Sequence, residues 1–250
     1  MGIDIVKHLH AEGWKVAIVG RKQAAGEAVV REIGDEQNAR FFQCHLDDYG
    51  SQAAMFLGVW KAWGRLDLLC ANAGIVDRSS LYIYSWRDKP VEEVPPEPDL
   101  QCTDIDYKAV IYGVQLSTHF MRHNTTPGGK IVVNASIGGI FPHQSYPEYC
   151  GAKAAVIQYV RGVAPLLKAK ENNFINVVMP GAVETPIVPP EMIAAVSPEW
   201  YVLPQTSCQR LRWLTSVVSR LSALSSLPMT GSSTMKRVSL VWRWKVHRTG

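Results

Sequence analysis

The sequence predicts a doubly wound α/β domain, a parallel sheet covered by helices on both faces. Three observations lead there. Apolar residues recur alternately at helical and at strand spacing along the first 180 residues. The strand candidates are short runs rich in Val, Ile and Leu without polar alternation, as in sheets buried on both sides. Helix-length segments separate them, the mark of βαβ units.

Taken in order, Ile3, Val6 and Leu9 repeat at helical spacing, and Gly13 closes that helix. Lys15–Gly20 is a short apolar strand, Ala24–Ile33 a helix, Phe41–Cys44 a second strand and Ser51–Trp63 a helix. Leu66–Ala71 is a buried strand. Further on, Thr103–Arg122 is helical, Lys130–Ala135 a strand, Tyr149–Lys170 a helix and Ile175–Met179 a strand. One segment interrupts this rhythm. Asp77–Leu100 carries Tyr82, Tyr84 and Trp86, then Pro90, Pro95, Pro96 and Pro98 among acids. A loop of that length is functional or mobile.

The 250 residues are 47% apolar and 19% charged, which suits one large globular domain and excludes a disordered chain. No apolar run reaches bilayer-spanning length, and the start has no signal-peptide layout. The five cysteines are scattered without CxxC spacing, so neither a disulfide framework nor a zinc site is expected. The expected compartment is reducing and cytoplasmic.

Charge divides the chain. All 22 acidic residues lie at or before Glu199, whereas the last 51 residues hold eight Lys and Arg and no acid. The expected domains are therefore residues 1–203 and an atypical basic tail, 204–250. Within that tail Leu211, Leu214, Val217, Val218, Leu221 and Leu224 form a helical stripe. Val238, Leu240, Trp242, Trp244 and Val246 alternate as in a half-buried strand.

Tyr149-Cys-Gly-Ala-Lys153 carries the chemistry. Positions i and i+4 share a helix face, so phenol and ammonium line one pocket. A neighbouring cation favours the phenolate, and the Tyr can then exchange a proton with a substrate oxygen. Ser136 ends the strand Lys130–Ala135, at the C-terminal edge where open α/β sheets bind ligands. Asn72-Ala-Gly74 and Pro180-Gly-Ala-Val-Glu-Thr185 follow strands at the same edge. Each of these alone could be a plain turn. Together they make a site.

Ala71-Asn72-Ala73-Gly74, Ser136, Tyr149-x-x-x-Lys153 and Pro180-Gly181…Thr185 resemble the short-chain dehydrogenase/reductase family. Within it the chain is similar to enzymes of fungal secondary metabolism and to 15-hydroxyprostaglandin dehydrogenases. The resemblance covers roughly residues 1–190. It implies a Rossmann-like sheet and hydride exchange between a nicotinamide and a ketone or secondary alcohol. Tyr149 would be the acid/base, Lys153 would lower its pKa and hold the nicotinamide ribose, and Ser136 would orient the substrate oxygen. Asn72 would meet the adenosine side of the cofactor, and Val183 and Thr185 the carboxamide end.

Arg21 and Lys22 follow the strand Lys15–Gly20, where the family reads the ribose 2′ position. No acid is present there, and a guanidinium suits a 2′-phosphate, so NADP is expected ahead of NAD. The expected partner is a small carbonyl or alcohol substrate, without nucleic acid or membrane. The family commonly forms dimers and tetramers through its two long helices, here Thr103–Arg122 and Tyr149–Lys170.

The sequence departs from the family in four places. The family opens with a central strand and a TGxxxGxG loop, whereas Met1-Gly2-Ile3 aligns with the end of that motif. Gly2 is then the remaining cofactor-binding glycine, and the strand's neighbours are expected to lack ladder partners. The family's adenine-facing Asp falls on His45, with Asp47 two residues on. Its catalytic Asn falls on Asp106, which accepts hydrogen bonds but does not donate as Asn does. The acidic turn that closes the family is absent from the tail, which reads as a product of a shifted frame or retained intron, or else as a real basic extension. A truncated, inactive relative acting at most as an interaction protein is the alternative to an NADP-dependent enzyme. Dispersed cations argue against a tail that binds anionic surfaces.

Overall fold

In the computed structural model residues 1–183, 201–202 and 238–242 are described. The chain enters on α1 (Gly2–Ala11), then β1 (Lys15–Gly20), α2 (Gln23–Ile33), β2 (Ala39–Gln43), α3 (Tyr49–Trp63) and β3 (Leu68–Ala71). After the long loop come α4 (Gln101–Thr103), a π-helical turn at Asp104–Lys108 and α5 (Ala109–Met121). The chain continues through β4 (Gly129–Asn134), α6 (Pro147–Glu171) and β5 (Asn173–Val178). β6 (Ala182–Val183) pairs with β7 (Tyr201–Val202), and β8 (Val238–Trp242) closes the described chain. Every strand and helix expected up to residue 179 is present, with ends moved by a few residues. Gly34 and Gly64 end α2 and α3 in the left-handed region, at φ 73° and 65°, where a side chain would be strained.

The six-stranded sheet is parallel throughout, in the order β2-β1-β8-β3-β4-β5. Alternate residues serve two cores. Ala17 and Val19 of β1 and Leu69 and Ala71 of β3 join Phe56, Val110, Val156 and Val160, so α3, α5 and α6 cover one face. Val16 and Ile18 join Ile5, Val6, Leu9, Val29 and Val30 beneath α1 and α2 on the other. The fold is thus the expected Rossmann-like doubly wound α/β sheet.

The C-terminal segment supplies a correction. The slot between β1 and β3, expected to leave both without ladder partners, is filled by β8. Lys15–Val19 of β1 pair with Val238–Trp242, and Leu68–Cys70 of β3 pair with Ser239–Val241. The strand is not half-buried either. Val238 and Leu240 enter one core and Val241 the other, and Ser239 is equally buried. The physical reason is the demand of the slot. Two open ladders and two apolar faces accept a β-branched, apolar pentapeptide, and Val-Ser-Leu-Val-Trp supplies one. The helical stripe expected at residues 211–224, and Trp244 and Val246, lie outside the described residues.

Asp67 fixes the register of this insertion. Its buried carboxylate accepts the Val238 N–H at 2.8 Å, and Ser239 Oγ lies 3.3 Å from the Lys15 carbonyl oxygen. Arg65 donates two hydrogen bonds back to Asp67, at 2.8 and 2.7 Å, so the buried charge is paired as well as bonded. Among the described residues no helix is long and apolar enough to cross a membrane.

Candidate active site

The C-terminal ends of the parallel strands carry the polar residues that the sequence singles out. Ser136 lies two residues past the end of β4. Its hydroxyl accepts the Gly138 N–H at 3.1 Å, and it stands on the side of the Tyr149 phenol where it favours the ionised form. Both residues are half-buried. Gly139 matters to the approach of this loop to α6. A Cβ on Gly139 would lie 2.8–2.9 Å from the α6 backbone at Lys153 and Ala154, so only glycine lets the β4 loop close against the helix.

Tyr149 stands in the first turn of α6, and Asp77 holds that turn. Its carboxylate accepts the N–H groups of Glu148 at 3.0 Å and Tyr149 at 2.8 Å, satisfying two open donors at the helix start. Glu148 in turn accepts the Thr103 N–H at 2.7 Å, tying α6 to α4. These positioning roles of Asp77 and Glu148 escape sequence reasoning. Asp77 lies 72 residues from Tyr149 in a loop with no local pattern. Asp77, Cys102 and Glu148 bring their ligand-type atoms within 4.8 Å of one another. Two of the three are engaged with backbone N–H groups.

Lys153, one helical turn on, is buried. Its ammonium lies 5.6 Å from the Tyr149 ring centroid, donates to the Asn134 carbonyl at 2.9 Å, and pairs with Asp106 at 3.0 Å. Asp106 is fully buried and also accepts the Ile75 N–H at 2.8 Å. It lies in the π-helical turn at Asp104–Lys108, a local irregularity often found at functional sites. Gly74 makes room for the pair, since a Cβ there would sit 2.8 Å from Asp106 Oδ2.

The electrostatics differ from the simple expectation for Tyr149. Burial pushes its pKa up, and Lys153 and the Ser136 hydroxyl pull it down without prevailing, so the net shift is upward. The expected lowering by Lys153 is present as a force but loses to desolvation. For Lys153, burial works against the ammonium, yet Asp106 and then Tyr149 outweigh it and the pKa is raised. Burial raises the Asp106 carboxyl, against the pull of Lys153 and the Ile75 N–H.

Several of the expected cofactor residues follow strand ends. Gly2 is buried at the start of α1. Arg21 is half-buried just past β1. Burial lowers its pKa, with Asp47 attracting it and Arg78 repelling it. Lys22 is exposed at the start of α2, and His45 is exposed beyond β2 with its N–H on Ser51 Oγ at 2.9 Å. Asn72 follows β3, and its carboxamide oxygen lies 3.4 Å from Asn134 Nδ2. The backbone of Val183 is in β6, and Thr185 lies outside the described residues.

Aromatic residues cluster in the long loop and in the segment that leads into α6. Tyr82 and Tyr84 stack with centroids 5.4 Å apart, and the Tyr82 hydroxyl donates to the Gln144 carbonyl at 2.9 Å. His143 packs on Tyr146 at 5.6 Å, and Phe141 is 70% exposed nearby in sequence.

The chain is similar to known proteins in sequence and in fold. A family model for short chain dehydrogenase matches residues 1–192. The short-chain dehydrogenase/reductase prx6 of Penicillium rubens is 58% identical over 206 residues, covering 82% of this chain and 69% of that protein. The NAD(+)-dependent 15-hydroxyprostaglandin dehydrogenase of Mus musculus is 29% identical over 193 residues, covering 75% and 65%. In fold, the chain is similar to a short-chain type dehydrogenase/reductase from Mycobacterium marinum. That match has a TM-score of 0.70 at 24% identity, covering 96% of this chain and 88% of the other.

Proposed function

Because the chain belongs to the short-chain dehydrogenase/reductase family, we propose that it is an NADP-dependent oxidoreductase interconverting a ketone and a secondary alcohol in secondary metabolism. One arrangement carries the reading. Tyr149 and Lys153 share a face of α6, and Ser136 meets the phenol from the end of β4.

The donor set at this edge suits a nicotinamide dinucleotide. The Lys153 ammonium has one N–H left for a ribose hydroxyl after the Asn134 carbonyl and Asp106 take the other two. The Asn72 carboxamide and Gly2 at the α1 terminus line the adenosine and phosphate side. Arg21, with Lys22 beside it, meets the ribose 2′ position, where its charge favours a phosphate. His45 adds a contact near the adenine, and Val183 and Thr185 are the proposed carboxamide contacts. When bound, the nicotinamide ring supplies or accepts the hydride.

The protein's own residues handle the proton. Ser136 orients the substrate oxygen towards the phenol, and Tyr149 gives it a proton in reduction or takes one in oxidation. Lys153 stabilises the charge that develops on the phenolate, and Asp106 holds Lys153 in place. Tyr82, Tyr84 and Phe141 offer an apolar rim, so the carbonyl compound is expected to be largely apolar. The test is NADPH consumption with a panel of aromatic and aliphatic ketones. Failure to bind NADPH, or to turn over any ketone or alcohol with either dinucleotide, overturns the assignment.

A further inference from the structure

Resting on the catalytic reading above, we propose that Asp106 is a positioning residue that neutralises Lys153, keeps the Tyr149 phenol protonated, and so poises the site for carbonyl reduction. The argument begins with geometry. Asp106 and Lys153 are both buried, and the carboxylate sits 3.0 Å from the ammonium. The carboxylate form is held by the Ile75 N–H at 2.8 Å, the ammonium by the Asn134 carbonyl at 2.9 Å. With its charge balanced on one side, Lys153 has less pull left for a phenolate on the other.

The groups facing this triad reinforce the effect. Tyr149 meets Lys153 on its own helix, Ser136 from the β4 loop, and Asp106 and Cys102 from the α4–π segment. Of these, Lys153 and Ser136 favour the phenolate, whereas Asp106 and Cys102 oppose it. Glu148 faces Asp106 from the start of α6, and Asp77 lies beside Cys102. The carboxyl groups around this cluster thus come from the π-helical segment, the start of α6 and the loop at Asp77. A neutral carboxamide at position 106 would leave Lys153 uncompensated and favour the phenolate, the form needed to accept a proton from an alcohol. The aspartate favours the phenol, the form needed to give a proton to a ketone oxygen.

In reduction, the hydride given up by a reduced nicotinamide dinucleotide, which is thereby oxidised, would add to the carbonyl carbon; the C=O π electrons become an oxygen lone pair, and the Tyr149 O–H proton closes the balance. The phenolate left behind must recover a proton from solvent before the next turnover. Asp106 makes that recovery favourable at neutral pH.

The experiment follows the Tyr149 ring directly. Protein carrying carbon-13 at the tyrosine ζ position is titrated by NMR without cofactor, with the Tyr149 resonance assigned by its loss in Tyr149→Phe. In the unmodified protein Tyr149 should ionise above the ordinary tyrosine value of 10. In Asp106→Asn, which keeps an acceptor for the Ile75 N–H, the midpoint should move to lower pH. The falling alkaline limb of kcat/KM for ketone reduction should move the same way. Asp106→Glu should restore the unmodified behaviour. An unmoved or raised midpoint in Asp106→Asn overturns the proposal. Should that variant not fold, Asp106→Ser takes its place under the same criterion: a lowered midpoint supports the proposal and an unmoved or raised one overturns it. Because the NMR titration needs neither cofactor nor turnover, failure of the enzymatic reading shows separately as absent NADPH binding.

Discussion

Val238 and Asp67, 171 residues apart, are joined twice: the Val238 N–H donates to the Asp67 carboxylate at 2.8 Å, and the Asp67 N–H donates to the Val238 carbonyl at 3.0 Å. This double bond to the rim of the slot, backed by Arg65, fixes which residue of β8 faces which core. A slip of one residue would turn Val238 and Leu240 away from the core they serve and put Ser239 into it.

The first prediction tests that insertion. Leu240→Ala removes a fully buried side chain at the centre of the sheet. It should cost about 2–5 kcal/mol in a denaturant titration. A change below about 0.5 kcal/mol, the range of surface positions, would place β8 outside the core.

Tyr149→Phe removes one hydroxyl and leaves the packing of α6 intact. Turnover should fall by about 10²–10⁴-fold, the worth of a positioned acid or base. The melting temperature and NADPH affinity should change little. Steady-state kinetics beside a thermal scan checks both, and a variant with normal turnover would remove Tyr149 from the mechanism.

Arg21→Asp reverses the charge at the end of β1. Charge-assisted hydrogen bonds to a 2′-phosphate contribute about 1.5–3 kcal/mol, roughly a 10- to 150-fold preference. The unmodified protein should bind NADPH more tightly than NADH, and the variant should prefer NADH. Equal affinities of the unmodified protein, measured by fluorescence titration, would assign Arg21 to another task.

Gly139→Ala places a methyl against the α6 backbone at Lys153 and Ala154. Backbone does not yield as a flexible side chain does, so a loss of about 1–3 kcal/mol is expected. Catalysis should weaken with it, because Ser136 and Lys153 lie on the two surfaces forced apart. Unchanged stability and kinetics would show that the loop is free to move.

Among the described residues four cysteines are buried, and burial pushes the Cys44 and Cys70 thiols up to about 11 and about 12. Neither thiolate forms near neutrality, so iodoacetamide at pH 8 should leave both unlabelled in the native protein. Intact mass spectrometry with peptide mapping reads this out. Rapid labelling of either would mean that the sheet opens readily.

Much of this molecule is legible in its sequence, for reasons that are local. The strands Lys15–Gly20 and Leu68–Ala71 are apolar runs bounded by Gly, Arg and Asn, and they form where periodicity puts them. Tyr149 and Lys153 announce themselves by a one-turn spacing, and Ser136 by its place after a strand. What escapes is long-range. The half-buried pattern of Val238–Trp242 is a strand signal, but nothing local says that the strand belongs between β1 and β3. Likewise Asp77 caps α6 from another part of the chain, and only the fold brings it there. The sign of the Tyr149 shift escapes too, because the spacing to Lys153 is visible in sequence and the depth of burial is not.

The position of β8 also sets the order in which the protein can be completed. β1, β2 and β3 are synthesised early, yet the strand that joins two of them is the last described, roughly 170 residues after β3. At about 5–20 residues per second a ribosome needs on the order of ten to thirty seconds to cover that distance. Throughout that interval β1 and β3 present unpaired, apolar edges, the kind of surface that recruits other strands. The nascent chain is therefore a candidate client for chaperones that shield extended apolar segments. Ribosome-bound chains stalled before residue 238 should be protease-sensitive across β1 and β3, and protected once β8 has emerged.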